Sequence, residues 1–304
     1  MIDFIKIYTS QKEALEYKLK TKYDDTICSL NYLTNEVKYP FRKYLENMEV
    51  KVTNTSGNIR NSLHKFHNLA NYKLDNNYTD FYIEDIFGAL NMLSYELGEN
   101  IDDYKVTNLE FGLNIRTSLP AEEILKNNFA MFNFDNYSQI ETFKGKGFYK
   151  QYNRREYHIK YYDKAKESKP TLHYNLLRAE IKIVDSKLLK KFGIYTVKDI
   201  TNPNSLKSLF TFLLDRVEET NIIDNLNDKD IPLEDKHIIE LGKSPSYWLE
   251  LKQNKSNSSY YERRDKYNSI LSKYNLLTKK EEVKSLLTQK FNELYYPPYY
   301  FETG

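Results

Sequence analysis

Three short segments carry chemically capable side chains at every second position. In residues 108–116 (NLEFGLNIR), Leu109, Phe111, Leu113 and Ile115 alternate with Asn108, Glu110, Gly112, Asn114 and Arg116. In residues 157–164 (YHIKYYDK), His158, Lys160, Tyr162 and Lys164 share one parity, opposite Tyr157, Ile159, Tyr161 and Asp163. In residues 176–184 (LLRAEIKIV), Arg178, Glu180 and Lys182 oppose Leu177, Ala179, Ile181 and Ile183. Carboxylates on separate strands make an oxygen-ligand site suited to Mg²⁺ or Mn²⁺, so Glu110 and Glu180 are candidate ligands. His158 shares the parity of Tyr162 and is either a ligand, a base or a solvated surface histidine. An antiparallel sheet with one wet face shows the same alternation without any chemistry.

Charge supplies a second signal. Between 144 and 169 stand Lys144, Lys146, Lys150, Arg154, Arg155, Lys160, Lys164, Lys166 and Lys169, against Glu156, Asp163 and Glu167. Phe148, Tyr149, Tyr152, Tyr157, Tyr161 and Tyr162 are interleaved with them. Cations for phosphates beside aromatic rings for bases are what single-stranded DNA binding needs. A second basic run, 252–280, includes Lys252, Arg263 and Arg264 beside Tyr260, Tyr261 and Tyr267. Such runs are also common on solvated helix faces.

The elements that must hold these residues follow from the same periodicities. Strand side chains alternate between faces, so each of the three segments has an apolar and a polar side. If the three share one sheet, its polar side gathers Glu110, Tyr162, Lys164, Arg178 and Glu180. Residues 2–8 and 48–53 also read as strands. Helical spacing marks 81–98, with Gly98 as its stop, and 187–192, closed by Gly193. Ser118-Leu119-Pro120 before AEEIL predicts a capped helix start. Beyond about Thr201 the strand signals vanish. The expected fold is α+β: a mixed domain over 1–202, its central, largely antiparallel sheet covered by helices such as 81–98 on one face, then an all-helical domain over 203–304.

Composition bounds the function. The chain has 304 residues and a formal net charge of +2, which excludes a whole-molecule field able to hold nucleic acid non-specifically. The single cysteine, Cys28, excludes a disulfide framework and a Cys-based zinc site and fits a reducing cytoplasm. No run of 18 or more apolar residues predicts a membrane span, and MIDFIKIYTS lacks the apolar core of a secretory signal. The 28 Tyr and 16 Phe against one Trp fit an AT-rich genome as well as they fit base stacking or a tyrosine nucleophile.

At these same segments the sequence resembles the gene II/X replication proteins of filamentous phages and the related plasmid rolling-circle initiators. The opening MIDFIKI is similar to the family's start. NLEFGLNIRTSLP resembles its strand bearing an acidic residue, with Glu110 where Asp is common. HIKYYDKAKE resembles its tyrosine–lysine–glutamate segment and puts Tyr162, Lys164 and Glu167 on the family's positions. LLRAEIKIVDSKLLKKFGIYTVKDI is similar to its Arg-x-Glu strand and following helix, and SLHKFHNLANYKLDNNYTDF to an upstream element of plasmid members. The resemblance covers roughly 1–200.

It implies a site-specific single-strand endonuclease in the cytoplasm of a bacterial host. Tyr162 would attack a phosphate of single-stranded or supercoiled origin DNA, leaving a 5′-phosphotyrosine link and a 3′-hydroxyl primer. It further implies a divalent metal, Mg²⁺ or Mn²⁺, held by Glu110 and Glu180, with Glu167 and His158 as further ligand candidates. A free tyrosine has a pKa of about 10, so Lys164 and Arg178 are expected to favour the phenolate. A host helicase and polymerase are the implied partners. Rejoining needs no ATP, and the sequence has no GxxxxGK[ST] loop. One departure stands out: no histidine–hydrophobic–histidine triplet is present. Of the five histidines, His64 and His67 are three apart and suit one helix face. Two other readings remain open at this point: a non-catalytic DNA-binding regulator with the same fold, and a structural or interaction protein.

Overall fold

Period-two alternation becomes strand at each of the three segments, and their strands lie side by side. The computed structural model describes residues 1–142, 147–168, 171–226 and 229–296. The chain begins β1 (Ile2–Thr9), α1 (Lys12–Thr21), β2 (Ile27–Asn31), β3 (Glu36–Leu45), β4 (Met48–Val52) and β5 (Gly57–Ser62). Helices α2 (Leu63–Tyr72) and α3 (Ile83–Leu97) lead to β6 (Lys105–Arg116), α4 (Ala121–Asn127), β7 (Phe129–Phe132) and β8 (Gln139–Thr142). Next come β9 (Phe148–Asn153), β10 (Tyr157–Asp163), the single turn α5 (Lys164–Glu167), β11 (Leu176–Ile183) and α6 (Ser186–Lys191). The last part comprises α7 (Pro203–Glu219), β12 (Thr220–Ile222), α8 (Leu233–Gly242), α9 (Pro245–Asn254), α10 (Asn257–Lys273) and α11 (Thr278–Tyr295).

Ten strands form one sheet in the order β2-β3-β4-β5-β1-β6-β11-β10-β9-β8, and every pairing is antiparallel. The fold is therefore α+β, as expected. On its apolar face Ile5, Ile7, Leu109, Phe111, Ala179, Ile181 and Tyr161 are sealed from solvent. Helices α6, α7 and α11 cover β6 there, with Phe111 and Phe291 rings 6.4 Å apart. Helix α3 packs instead along α2, which lies on β1, and its buried Ile86, Ala89 and Leu93 join the same core.

Local chemistry sets the helix ends. The Ser62 side chain accepts from Lys65 N–H to start α2, and Asp85 accepts the Tyr82 N–H at 2.8 Å to start α3. Gly98 ends α3 at φ 63°, a conformation that glycine adopts without a Cβ clash. Ser118 does not cap α4; Pro120 occupies that position without a side-chain hydrogen bond.

The packing of the C-terminal third differs from a boundary at 202/203. Leu206, Leu209 and Leu213 of α7 and Val283, Leu287 and Phe291 of α11 belong to the core of the sheet. A separate, smaller core is built by Ile239, Trp248, Leu251, Tyr267, Ile270 and Leu271 of α8, α9 and α10, with Met131 and Phe134 reaching in from β7 and its turn. That third also contains strand: β12 pairs with β7. Among the described residues no helix is long and apolar enough to cross a membrane.

Candidate active site and basic surface

Adjacent strands β1, β6, β11 and β10 each contribute to one cluster on the sheet's polar face. Register does the placing: Arg178 pairs with Tyr162 and Asn114, Glu180 with Lys160 and Gly112, and Lys182 with Glu110. Carboxylate oxygens of Asp3, Glu110 and Glu180 all lie within 4.8 Å of one another. The sequence reading did not include Asp3. Strict alternation would turn it inward with Ile5 and Ile7, but Ile2 pairs with Phe111 and Ile5 with Leu109. The extra residue on β1 is a bulge, which breaks the parity; Ile2 is buried in the core, and Asp3 is brought beside Glu110 and Glu180. The signal that could have found it is an ionisable residue inside the apolar run MIDFIKI.

Arg178 is the electrostatic centre, 3% exposed. It donates from Nε to Glu180 Oε2 at 2.7 Å, from NH1 to Asn114 Oδ1 at 3.1 Å and from NH2 to Asp3 Oδ2 at 3.1 Å. Asp3 also accepts from the Ser62 hydroxyl and from Asn77 Nδ2 at 2.7 Å. Burial works against the Asp3 carboxylate, but Arg178 and Ser62 outweigh it and hold its pKa below the ordinary value. Glu110 goes the other way. Burial, then repulsion from Glu180, pushes it up to about 7, although Lys182 Nζ sits 2.7 Å away.

Tyr162 donates its hydroxyl to Glu180 Oε2 at 3.2 Å. Burial, then the Glu180 charge, raises its pKa well above the ordinary tyrosine value, while Arg178 pulls it down. Lys160 Nζ and Lys164 Nζ lie 5.2 Å and 5.7 Å from its ring centroid. Lys164, 1% exposed, donates to Asn77 Oδ1 at 2.7 Å and Glu167 Oε2 at 2.6 Å; burial lowers its pKa, as does Arg178, against the pull of Glu167. Gly112 leaves the space this geometry needs. A Cβ there would lie 2.6 Å from Glu180 Cβ and 3.0 Å from the Ala179 carbonyl oxygen.

Three clustered carboxylates are hard oxygen donors of the kind Mg²⁺ and Mn²⁺ take, and Glu110, raised first by burial and then by Glu180, lies close enough to Glu180 for the two to repel. The donor set fits such an ion. Neither Glu167 nor His158 belongs to it: Glu167 is paired with Lys164, and His158 lies further along β10, opposite Asn153 and Lys182. Burial lowers the His158 pKa. His64 and His67 sit buried on α2, the first stacked on Phe81 with centroids 4.5 Å apart.

The basic residues divide. Lys150 is a correction: it shares the inward parity of its partner Tyr161, is buried, and donates to the Phe129 carbonyl at 2.5 Å. Burial lowers its pKa to about 8, so it offers no surface cation to DNA. Arg154, Arg155 and Arg263 are exposed, and Lys160 and Arg264 half-buried. Lys144 and Lys146, with Lys169 of the same run, lie outside the described residues.

No family model and no curated protein matches the chain. A solved structure titled "Structure of Rolling Circle Replication Initiator Protein from Geobacillus stearothermophilus" aligns with a TM-score of 0.40 at 11% identity, covering 76% of this chain and 89% of that one.

Proposed function

We propose that the chain initiates rolling-circle replication by nicking single-stranded origin DNA, with Tyr162 as nucleophile. The observation that carries this reading is the 3.2 Å hydrogen bond from the Tyr162 hydroxyl to Glu180, itself a member of the carboxylate cluster. The resemblance of five segments, in order, to the phage and plasmid initiators supports it. On this reading Glu180 accepts the phenolic proton as Tyr162 Oη attacks phosphorus. The Oη–P bond forms, the P–O3′ bond breaks, and the 3′ oxygen takes a proton and leaves as a hydroxyl. Reversal rejoins the strand. Because burial and Glu180 disfavour a free phenolate, proton transfer has to accompany attack. Arg178 steadies the developing charge, and Lys160 and Lys164 hold the phosphate. A divalent cation held by Asp3, Glu110 and Glu180 would draw charge from a non-bridging phosphate oxygen. The 3′-hydroxyl would then serve a host polymerase while a host helicase opens the duplex.

The test is incubation with labelled single-stranded origin DNA and Mn²⁺, followed by denaturing electrophoresis. A labelled band at protein mass is expected, absent with Tyr162→Phe and with chelator. An adduct that survives Tyr162→Phe overturns the assignment. Two observations favour a second reading, a non-catalytic DNA-binding regulator: Tyr162 is 5% exposed, and Arg178 already pairs with two of the three carboxylates. That reading expects retardation on a native gel without cleavage in any divalent metal.

A further inference from the structure

The two basic runs of the sequence, about a hundred residues apart, meet in one cleft away from Tyr162. Arg154, at the end of β9, faces Lys252 of α9 and Arg264 of α10 across a cavity of about 250 Å³, walled by Phe134, Tyr260 and Tyr261. The Arg264 guanidinium lies 4.2 Å from the Phe134 ring centroid and within 6 Å of both tyrosine rings. Tyr260 and Tyr261 meet edge to face at 5.4 Å, and Trp248 packs edge-on against Tyr260 at 6.1 Å. Tyr261 is 56% exposed. The lining carboxylate, Asp135, already accepts the Tyr152 hydroxyl at 3.0 Å.

The turn beneath is built at a conformational cost. Asn133 and Phe134 both have left-handed backbones, φ 48° and 63°, which costs of order 1 kcal/mol each for residues with a Cβ. Hydrogen bonds from Asn133 N–H to Glu219 O at 2.8 Å and from Phe134 N–H to Asn221 Oδ1 at 3.3 Å hold it. The outcome is an aromatic floor under a guanidinium.

Resting on the initiator reading for the identity of the strand, we propose that this cleft is a single-stranded DNA subsite. One unstacked base lies on Tyr261, and the flanking phosphates meet Arg154, Lys252 and Arg264. Exposed aromatics beside cations give sequence-tolerant binding of this kind. The cavity is smaller than the roughly 300 Å³ at which pockets for drug-sized ligands begin, which suits a single base. Arg154 follows Tyr149, the strand partner of Tyr162, by five residues, or about 17 Å of extended chain.

The experiment is fluorescence anisotropy of labelled dT15 with the full chain in chelator, at several salt concentrations, on wild type, Tyr261→Ala and the double variant Arg154→Ala/Lys252→Ala. All three residues are exposed, so the fold is left intact; circular dichroism checks it. Expected are about tenfold weaker binding for Tyr261→Ala and a log–log salt slope shallower by about 1.4 for the double variant. Wild type that fails to bind dT15, or variants that match wild type in affinity and slope, overturn the proposal. The adduct assay on the same samples separates the two readings. Weakened dT15 binding by Tyr261→Ala with no wild-type adduct leaves the subsite standing and removes the nickase. A normal adduct with unchanged dT15 binding does the reverse.

Discussion

Arg178 and Arg264 are both arginines among aromatic and acidic neighbours, yet they do opposite work. Arg178 lies inside the sheet's polar face and holds Asp3 and Glu180 in ion pairs at 3.1 and 2.7 Å. Arg264 lies half-buried on a helix, stacked on Phe134, and donates to Asn133 Oδ1 at 3.4 Å. A sealed cation with three of its five N–H groups committed to Glu180, Asn114 and Asp3 chiefly fixes other groups in place. A half-exposed cation on a ring keeps free donors and a preset direction, which favours capture of a mobile phosphate. On the proposed function the first region is the reaction centre and the second a grip on the strand.

Removing each arginine is the strongest way to break this contrast. Arg178→Ala leaves two buried carboxylates uncompensated and should cost about 3–5 kcal/mol in urea unfolding, whereas Arg264→Ala should cost about 1 kcal/mol. Equal losses would sink the distinction. Phe134→Ala should lower stability by about 3 kcal/mol. Trp248, the single tryptophan, reports it: its rings sit 4.7 Å from Phe134. An unchanged Trp248 emission transition would mean that the turn is not what ties the second core to the sheet.

The smallest effect is one of pH. Glu110 has a folded pKa of about 7 against an ordinary 4.5, so the native state binds this proton more tightly than the unfolded chain. Stability present below about pH 4.5 is therefore lost as pH rises through 7, by of order 1–3 kcal/mol in chelator. Glu110→Gln should flatten that fall, and Mg²⁺ should oppose it in wild type by taking the place of the proton. A pH profile identical in wild type and variant would remove Glu110 from the cluster's electrostatics.

Much of the site's geometry was legible because strand parity is a local property. Glu110, Tyr162, Arg178 and Glu180 share a face in NLEFGLNIR, YHIKYYDK and LLRAEIKIV, and they share it in the sheet. What the sequence concealed is non-local. Asp3 depends on a bulge that exists only in β1's pairing with β6. Lys150 read as one cation in a basic run, while its parity with Tyr161 turned it inward. The packing of the last third was hidden for a similar reason: the apolar stripes of α7 and α11 announce helices, but nothing in them says that the surface they cover is β6.

Gly112 leads to a consequence of another kind. The space beside Glu180 is an absence written into the chain, and every L-residue at 112 would fill it with an atom 2.6 Å from Glu180 Cβ. The charged members of the cluster admit chemical substitutes, since a carboxylate can be shortened and a lysine exchanged for arginine. Position 112 admits none. As the sequence drifts, the residue with no side chain is the one whose replacement has no near neighbour, so a void sets the narrowest tolerance in the site.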